Sequence, residues 1–506
     1  MMSTCYNYSR QLFNFKGIML FLITLICSIL ITNCHFRKDS PGKLLLVSFD
    51  GFRWDYLSKV SGKTPNFDKF ITNGGQARQG MKNCFMTKTL PNHFTLITGL
   101  YEESHGIIGN YMYDPEFNET FSFQNSTQLH ESKWFNNGGE PIWVTNQLQG
   151  NDRRTGSLFW PGTYAAVKGV LPTRSLVPYN EHLPNKTRVD MIIDWFTAEY
   201  PINLGLLYFS EPDGYGHHYG PESQEVMDMV IGLDEIVGYL LNKIEEKDLD
   251  DLNIIILSDH GMSNTPKADV INLDDHIHPK DYRIIDNDPV GLILPNEGKK
   301  ETIYKALSQS SKEGKDRGKF EVYYKEDVPS QYHFASNRRV QPIVIIMKDH
   351  YTYIYNTTTI KYSTKGTHGY NNSLQDMHPF FLAMGPAFKK RASVESFNNL
   401  DVYPLMCHIL GLKPAPNNGT LDIVKELLQE EKQYTVVTFA TYIGILVFIA
   451  LVGGIFMMAA CRQHRYMKRK QQYSLTSVPG GVNFSSVFQH ESKLPLLSDS
   501  EEESTP

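Results

Sequence analysis

The chain has 506 residues, with 49 Lys and Arg against 55 Asp and Glu, giving a formal net charge of −6. That balance argues against a nucleic-acid polymer held by phosphate neutralisation. At 41% hydrophobic and 21% charged residues, the composition is globular rather than disordered or collagen-like.

The first element is a charge-free stretch from Gly17 to Cys34, preceded by Arg10 and Lys16. A basic segment, an apolar run and small residues at Thr32 and Cys34 read as a signal peptide over residues 1–34, cleaved or kept as an anchor. From 39 to 433 no Pro/Gly/Ser-rich linker, heptad run or repeat intervenes, so one large domain is expected.

Lys43 to Phe49 is a nearly continuous apolar run, the pattern of a strand buried on both faces of a parallel sheet, and Asp50 follows it. In Thr87-Lys88-Thr89-Leu90-Pro91-Asn92-His93, Pro91 sits near the start of a helical stretch and makes Thr89 or Leu90 an N-terminal position. Thr89 then reads in two ways. It is a helix cap, or it is a hydroxyl nucleophile made acidic by the helix N-terminus and an adjacent metal.

A second strand, Asn203 to Phe209, leads to Asp213 and His217. Val226, Val230, Leu233, Val237, Leu240 and Ile244 recur at spacings of three and four and form one helical stripe. Leu252 to Leu257 is a third strand, followed by Asp259 and His260, and His368 stands in a Gly-bounded loop. Pro379 to Ala383 reads as another strand, and Leu400 to Leu410 as a helix stopped by Gly411. Strands alternating with helices predict a doubly wound α/β sandwich whose ligands bind beyond the strands' carboxyl ends. Singly, Asp50-Gly51 or His260-Gly261 could be strand-terminating turns. Their recurrence after apolar strands favours a ligand set of Asp, His and hydroxyl oxygen, suited to zinc in a hydrolytic site and sufficient for two ions.

Val436 to Ala460 is 25 residues without a charge, more than the roughly 20 needed to span a bilayer. Arg462, Arg465, Lys468, Arg469 and Lys470 follow, which predicts a single-pass plasma-membrane protein with domain 39–433 outside and tail 461–506 in the cytoplasm. Sequons at Asn118, Asn125, Asn185, Asn356, Asn371 and Asn418 agree with that topology. Within the domain only Cys84 and Cys407 occur, so its stability must come from a core rather than a disulfide scaffold. The polar tail, ending in Ser498-Asp499-Ser500-Glu501-Glu502-Glu503, is expected to be disordered.

Phe49-Asp50-Gly51-Phe52-Arg53, Lys88-Thr89-Leu90-Pro91-Asn92-His93, Phe159-Trp160-Pro161-Gly162-Thr163, Glu211-Pro212-Asp213, Gly216-His217, Ser258-Asp259-His260-Gly261-Met262 and His368-Gly369-Tyr370 together resemble the ecto-nucleotide pyrophosphatase/phosphodiesterase family. The plan of one catalytic domain and a C-terminal anchor is most similar to its members four and five. The resemblance implies an alkaline-phosphatase-like three-layer α/β/α sandwich with a mostly parallel sheet and two zinc ions. Asp213, His217 and His368 would hold one ion; Asp50, Thr89, Asp259 and His260 would hold the other. It further implies a nucleotidyl-threonine at Thr89, Asn110 as a phosphate-oxygen donor, Tyr179 against the nucleobase, and release of a nucleoside 5′-monophosphate from NAD, ADP, ATP or dinucleoside polyphosphates.

Two positions depart from the family pattern. Leu90 stands where an aromatic usually forms the second wall for the base, and Tyr164 where an acid is common. A choline-phosphodiester hydrolase is the alternative enzyme, disfavoured by Asn110 and Tyr179. The nucleophile segment lacks the Cys/Ser-x-Pro-x-Arg pattern of sulfatases, and a silent signalling ectodomain is disfavoured because every ligand position is filled.

Overall fold

The computed structural model describes residues 41–266, 270–286, 289–356, 364–430 and 436–475. The expected signal segment 1–34 and the tail beyond 475 lie outside the described residues.

Eight strands form the main sheet: β1 (Lys43–Phe49), β2 (Gly74–Ala77), β3 (Thr155–Leu158), β4 (Arg174–Leu176), β5 (Leu204–Phe209), β6 (Leu252–Leu257), β7 (Phe381–Met384) and β8 (Ala392–Val394). Their order is β8-β2-β7-β6-β1-β5-β3-β4. The apolar run of β1 serves two cores because successive side chains point to opposite faces. Leu44 and Leu46 join one cluster, with residues of the helices Thr89–Thr98, Ile142–Leu148 and Val402–Leu410. Leu45, Val47 and Phe49 join the other, with Pro65–Asn73, Asn185–Phe196 and Gln224–Glu246. The result is three layers, helices over both faces of a sheet.

The helical stripe from Val226 appears as Gln224–Glu246, capped by the Ser223 side chain, which accepts from the Val226 N–H. Val226, Val230, Leu233, Val237 and Leu240 are buried along it, and burying side chains of this size stabilises by about 1.5–3 kcal/mol each. Gly411 takes the left-handed conformation at φ 65° and ends Val402–Leu410.

β1 pairs in parallel with β5 on one side and β6 on the other. β7 differs from the parallel strand expected: it is antiparallel to both β6 and β2. The Gly261 and Met262 N–H groups donate to the carbonyls of Met377 and Asp376. The chain therefore enters β7 beside the carboxyl end of β6 and has to run back along it.

Residues Tyr282–Ile284, Val290–Pro295, Phe320–Tyr324 and Ile343–Met347 form an antiparallel sheet that the sequence reading did not separate from the domain. Ile293, Ile343 and Ile345 pack with Ile303 and Leu307 of helix Lys300–Lys312, whereas Val290, Leu292, Val344 and Ile346 join the main core. Shared packing ties this sheet to the sandwich, and the described residues from 41 through Gln429 form one compact unit. A second unit begins at Glu430 and contains the helix Val436–Leu475. Among the described residues it is the one helix long and apolar enough to cross a membrane, over Gly444–Gln472. Cys84 and Cys407 are both buried free thiols and do not pair.

Candidate active site

Because β1 lies between β5 and β6, the segments leaving their carboxyl ends converge. Asp50 follows β1, Asp259 and His260 follow β6, and the turn after β5 opens the helix Asp213–Tyr219. One helical turn separates Asp213 from His217 and puts both on one face. The Asp213 N–H donates to the Asp50 carbonyl at 3.0 Å. That approach requires Gly51, which sits at φ +66° and where a Cβ would lie 2.9 Å from the Cα, Cβ and Oδ1 of Asp213.

Thr89 is the first residue of helix Thr89–Thr98, whose N-cap is Lys88. Lys88 makes no side-chain cap bond. Thr89 is inside the helix rather than at the cap position, and its hydroxyl lies 3.3 Å from His260 Nε2. The same nitrogen is 3.3 Å from Asp50 Oδ1 and 3.2 Å from Asp259 Oδ2. Beside this cluster, Asp213 Oδ2 is 3.4 Å from His217 Nε2, and Asp213 Oδ1 is 3.6 Å from His368 Nε2. The two clusters adjoin, since the His260 and His368 rings stack with centroids 3.5 Å apart. Grouped by ligand-atom proximity, His260 falls with Asp213 and His368 as well, and His93 falls with Asp50 and Asp259.

The donor atoms are prepared for a cation in two respects. His217 Nδ1 contacts the Gly366 carbonyl, His260 Nδ1 that of Gly261, and His368 Nδ1 that of Thr87, at 2.8, 2.9 and 2.9 Å. A carbonyl only accepts, so each Nδ1 carries the proton and each Nε2 presents its lone pair to the centre. The carboxylates are likewise divided. Asp259 Oδ1 accepts from the Gly51 N–H and the Ser258 hydroxyl, and Asp50 Oδ2 accepts from the Tyr208 hydroxyl at 2.6 Å. Asp50 Oδ1, Asp213 Oδ1 and Asp259 Oδ2 are buried with no hydrogen-bond partner among the described residues. Buried carboxylate oxygens left bare in this way are the expected ligands of a bound cation.

Electrostatics express the same crowding. Burial, then Asp259 and Asp213, push the Asp50 carboxyl well above its ordinary range. Burial also acts on Asp259, but His260 and His93 outweigh it and hold that carboxyl below the usual values. Burial, then His260 and His217, hold His368 well below the usual imidazole range, so it is neutral and able to ligate. Glu211, half-buried and close to Asp213, is pushed up to about 7.

Residues 44–371 match the family model of type I phosphodiesterase / nucleotide pyrophosphatase. The chain belongs to the type I phosphodiesterase / nucleotide pyrophosphatase family. It is 43% identical over 387 residues to human ectonucleotide pyrophosphatase/phosphodiesterase family member 5, covering 76% of this chain and 78% of that one. It is 42% identical over 415 residues to bovine bis(5′-adenosyl)-triphosphatase ENPP4, covering 81% and 87%. An inactive murine ectonucleotide pyrophosphatase/phosphodiesterase 5 solved in complex with AMP aligns with a TM-score of 0.72 and 42% identity, over 77% of this chain and 100% of that one. The architecture is the alkaline-phosphatase-like sandwich, and the protein is a hydrolase of the nucleotide pyrophosphatase/phosphodiesterase class, most similar to members four and five.

In this phosphodiesterase, Asn110 lies at the N-terminus of helix Thr89–Thr98, its Oδ1 accepting the Leu90 N–H at 3.0 Å, which leaves Nδ2 as its donor end. Tyr179 is half-buried, its hydroxyl donating to Ser210 Oγ at 2.8 Å and its ring meeting Phe159 and Tyr208 edge-to-face. Leu90 departs from expectation. Its side chain is 0% exposed within the core cluster that also holds Tyr164, so it offers a base no accessible wall. Tyr164 is buried as well, and its hydroxyl donates to the Phe159 carbonyl.

Three neighbours of the site were not singled out from the sequence. His93, one turn after Thr89, places Nδ1 2.8 Å from the Thr89 carbonyl and 3.3 Å from Asp259 Oδ2, with Nε2 2.9 Å from Ser48 Oγ; its i+4 spacing from Thr89 was the available signal. Tyr208 was visible as a hydroxyl ending an apolar strand. Lys88 forms a buried ion pair at 3.0 Å with Asp286, which the small antiparallel sheet delivers, and no local pattern announces that contact. Of the sequon asparagines, Asn118, Asn125, Asn356 and Asn418 are exposed, whereas Asn185 and Asn371 are half-buried and Asn371 Nδ2 donates to the Tyr332 hydroxyl.

Proposed function

We propose that this protein is a membrane-anchored, zinc-dependent ectoenzyme that cleaves phosphodiester and pyrophosphate bonds of extracellular nucleotides. The observation that carries the reading is the convergence on His260 Nε2 of the Thr89 hydroxyl and the bare carboxylate oxygens of Asp50 and Asp259. Tetrahedral zinc with nitrogen and oxygen ligands at about 2.0–2.1 Å places neighbouring ligands about 3.3–3.4 Å apart, and His260 Nε2 stands 3.2 to 3.3 Å from Asp50, Asp259 and Thr89. Asp50, Thr89, Asp259 and His260 would hold one zinc, and Asp213, His217 and His368 the second. Zinc, when bound, supplies Lewis acidity that lowers the hydroxyl pKa and offsets the charge of the phosphoryl oxygens.

Thr89 Oγ1 gives up its proton to solvent and attacks phosphorus in line, at a helix N-terminus that favours negative charge. The P–O bond on the opposite side breaks, and the leaving alcohol or phosphate departs with its oxygen. Asn110 Nδ2 donates to a phosphate oxygen, Tyr179 lies against the base, and water hydrolyses the nucleotidyl-threonine to release a nucleoside 5′-monophosphate. A dinucleoside triphosphate is a candidate substrate, as the name of the ENPP4 relatives says of those proteins. The basic run from Arg462 to Lys470 after the apolar helix supports an extracellular catalytic domain and a cytoplasmic tail.

The test is hydrolysis of a p-nitrophenyl nucleotide ester by the wild type, the chelated protein and Thr89→Ala. Both treatments are expected to abolish turnover, and activity surviving either one overturns the mechanism. Comparing NAD, ADP, ATP, a diadenosine triphosphate and glycerophosphocholine then separates nucleotide from choline-phosphodiester hydrolysis.

A further inference from the structure

We infer that Tyr208 is a positioning residue with two separable duties: its hydroxyl orients Asp50 toward the metal centre, and its ring supports Tyr179. The inference rests on the metal reading above.

Tyr208 is next to last in β5 and pairs in register with Ser48 of β1, so the strand pairing itself brings its side chain beneath Asp50. The hydroxyl donates to Asp50 Oδ2 at 2.6 Å, in the range of a charge-assisted bond, and the residue is 7% exposed. That bond fixes which oxygen of Asp50 is left over. Oδ2 is occupied, so Oδ1 is the atom that faces His260 Nε2 at 3.3 Å, with no hydrogen-bond partner among the described residues.

Asp259 is held differently. Its Oδ1 takes the Gly51 N–H and the adjacent Ser258 hydroxyl, a backbone group and a chain neighbour that move with the loop. Asp50 relies on a side chain 158 residues away, on another strand. The terminal torsion of an aspartate is broad, so loss of the Tyr208 hydroxyl frees the carboxylate to turn. Outer partners of metal ligands typically contribute about 10- to 100-fold to metal affinity.

The ring has a separate contact set. It meets Tyr179 edge-to-face at 5.9 Å and His93 at 5.2 Å. Tyr208→Phe keeps those contacts and deletes the hydroxyl alone, whereas Tyr208→Leu deletes both. The structure therefore assigns zinc affinity to the oxygen and nucleotide affinity to the ring.

The experiment strips the full-length protein in detergent of metal and titrates it with Zn2+ against a chromophoric chelator. Wild type is expected to take up two ions. Tyr208→Phe is expected to bind one of them about 10- to 100-fold more weakly and the other unchanged, with turnover and KM restored by excess zinc. Tyr208→Leu is expected to show the same zinc defect and a raised KM that excess zinc does not restore. Tyr239→Phe removes a like tyrosine-to-aspartate bond, to Asp190, away from the site, and is expected to leave both affinities as in wild type. Both affinities of Tyr208→Phe within twofold of wild type overturn the inference while leaving the metal reading intact. A wild type that takes up no zinc overturns both.

Discussion

Removing the metal should cost this fold stability as well as activity. Three buried carboxylate oxygens, on Asp50, Asp213 and Asp259, face the centre without hydrogen-bond partners among the described residues, so the chelated protein keeps carboxyl groups crowded in a desolvated place. At a free zinc concentration one hundred times the dissociation constant, each ion stabilises by about 2.7 kcal/mol, or about 5.4 kcal/mol for two. The unit from residue 41 to 429 unfolds with an entropy of about 2.1 cal/mol/K per residue, roughly 0.8 kcal/mol/K in all. Chelation should therefore lower Tm by about 7 °C.

Thermal unfolding followed by circular dichroism, before and after chelator and on return of Zn2+ or Mg2+, reads this directly. Zinc should restore the loss and magnesium should not, because Mg2+ prefers octahedral oxygen ligands over imidazole. The loss should also shrink from pH 8 to pH 5. Asp50 in the fold lies well above its ordinary value, through burial and then Asp259 and Asp213. A raised pKa contributes stability below the unfolded value that is lost as pH rises through the folded one, so the chelated protein gains from acidification. Metal affinity falls over the same range, and Asp259, held low, stays ionised throughout. A Tm indifferent to chelator, or restored equally by magnesium, refutes the reasoning.

Leu90→Phe places a larger side chain in a fully buried position and should destabilise by about 1–3 kcal/mol without lowering the nucleotide KM; a lower KM at unchanged Tm would show the ring turning into the cleft. Tyr179→Ala should raise the nucleotide KM about tenfold with little change in kcat if the ring stacks on the base, and equal KM values for the two proteins would remove Tyr179 from the base site. Glu102 is fully buried and pushed well above its ordinary value, chiefly by burial and also by Asp286. Its contribution to folding is thus lost as pH rises above about 4.5, and Glu102→Gln should gain Tm relative to wild type between pH 5 and pH 8. A constant difference across that range contradicts the assignment.

The edge that carries the candidate site was legible because its strands are apolar on both faces and its polar donors follow them at once. Lys43–Phe49 and Leu252–Leu257 appear with the ends read from sequence, and Asp50, Asp213, Asp259 and His260 come together as the doubly wound pattern requires. The direction of β7 was hidden, since an apolar run reads the same in parallel and antiparallel pairing, and hydrogen bonds at Gly261 and Met262 decide it. Leu90 was misread for a related reason: an apolar residue beside the proposed nucleophile fits a pocket wall or a core equally well until burial is known. Lys88 with Asp286 and Tyr208 with Asp50 join side chains distant in sequence, and nothing local encodes either pair.

The donor set runs from Asp50, at the end of the first strand, to His368, just before the chain turns into β7. No shorter stretch of this chain carries all the donors, so a nascent chain cannot assemble the centre until nearly the whole unit has emerged and folded. Long-range closure of this kind is slow compared with local helix formation. On the proposed zinc reading, ion capture is then a late event in biogenesis, and a loaded molecule is one in which β1 has already paired with β5 and β6.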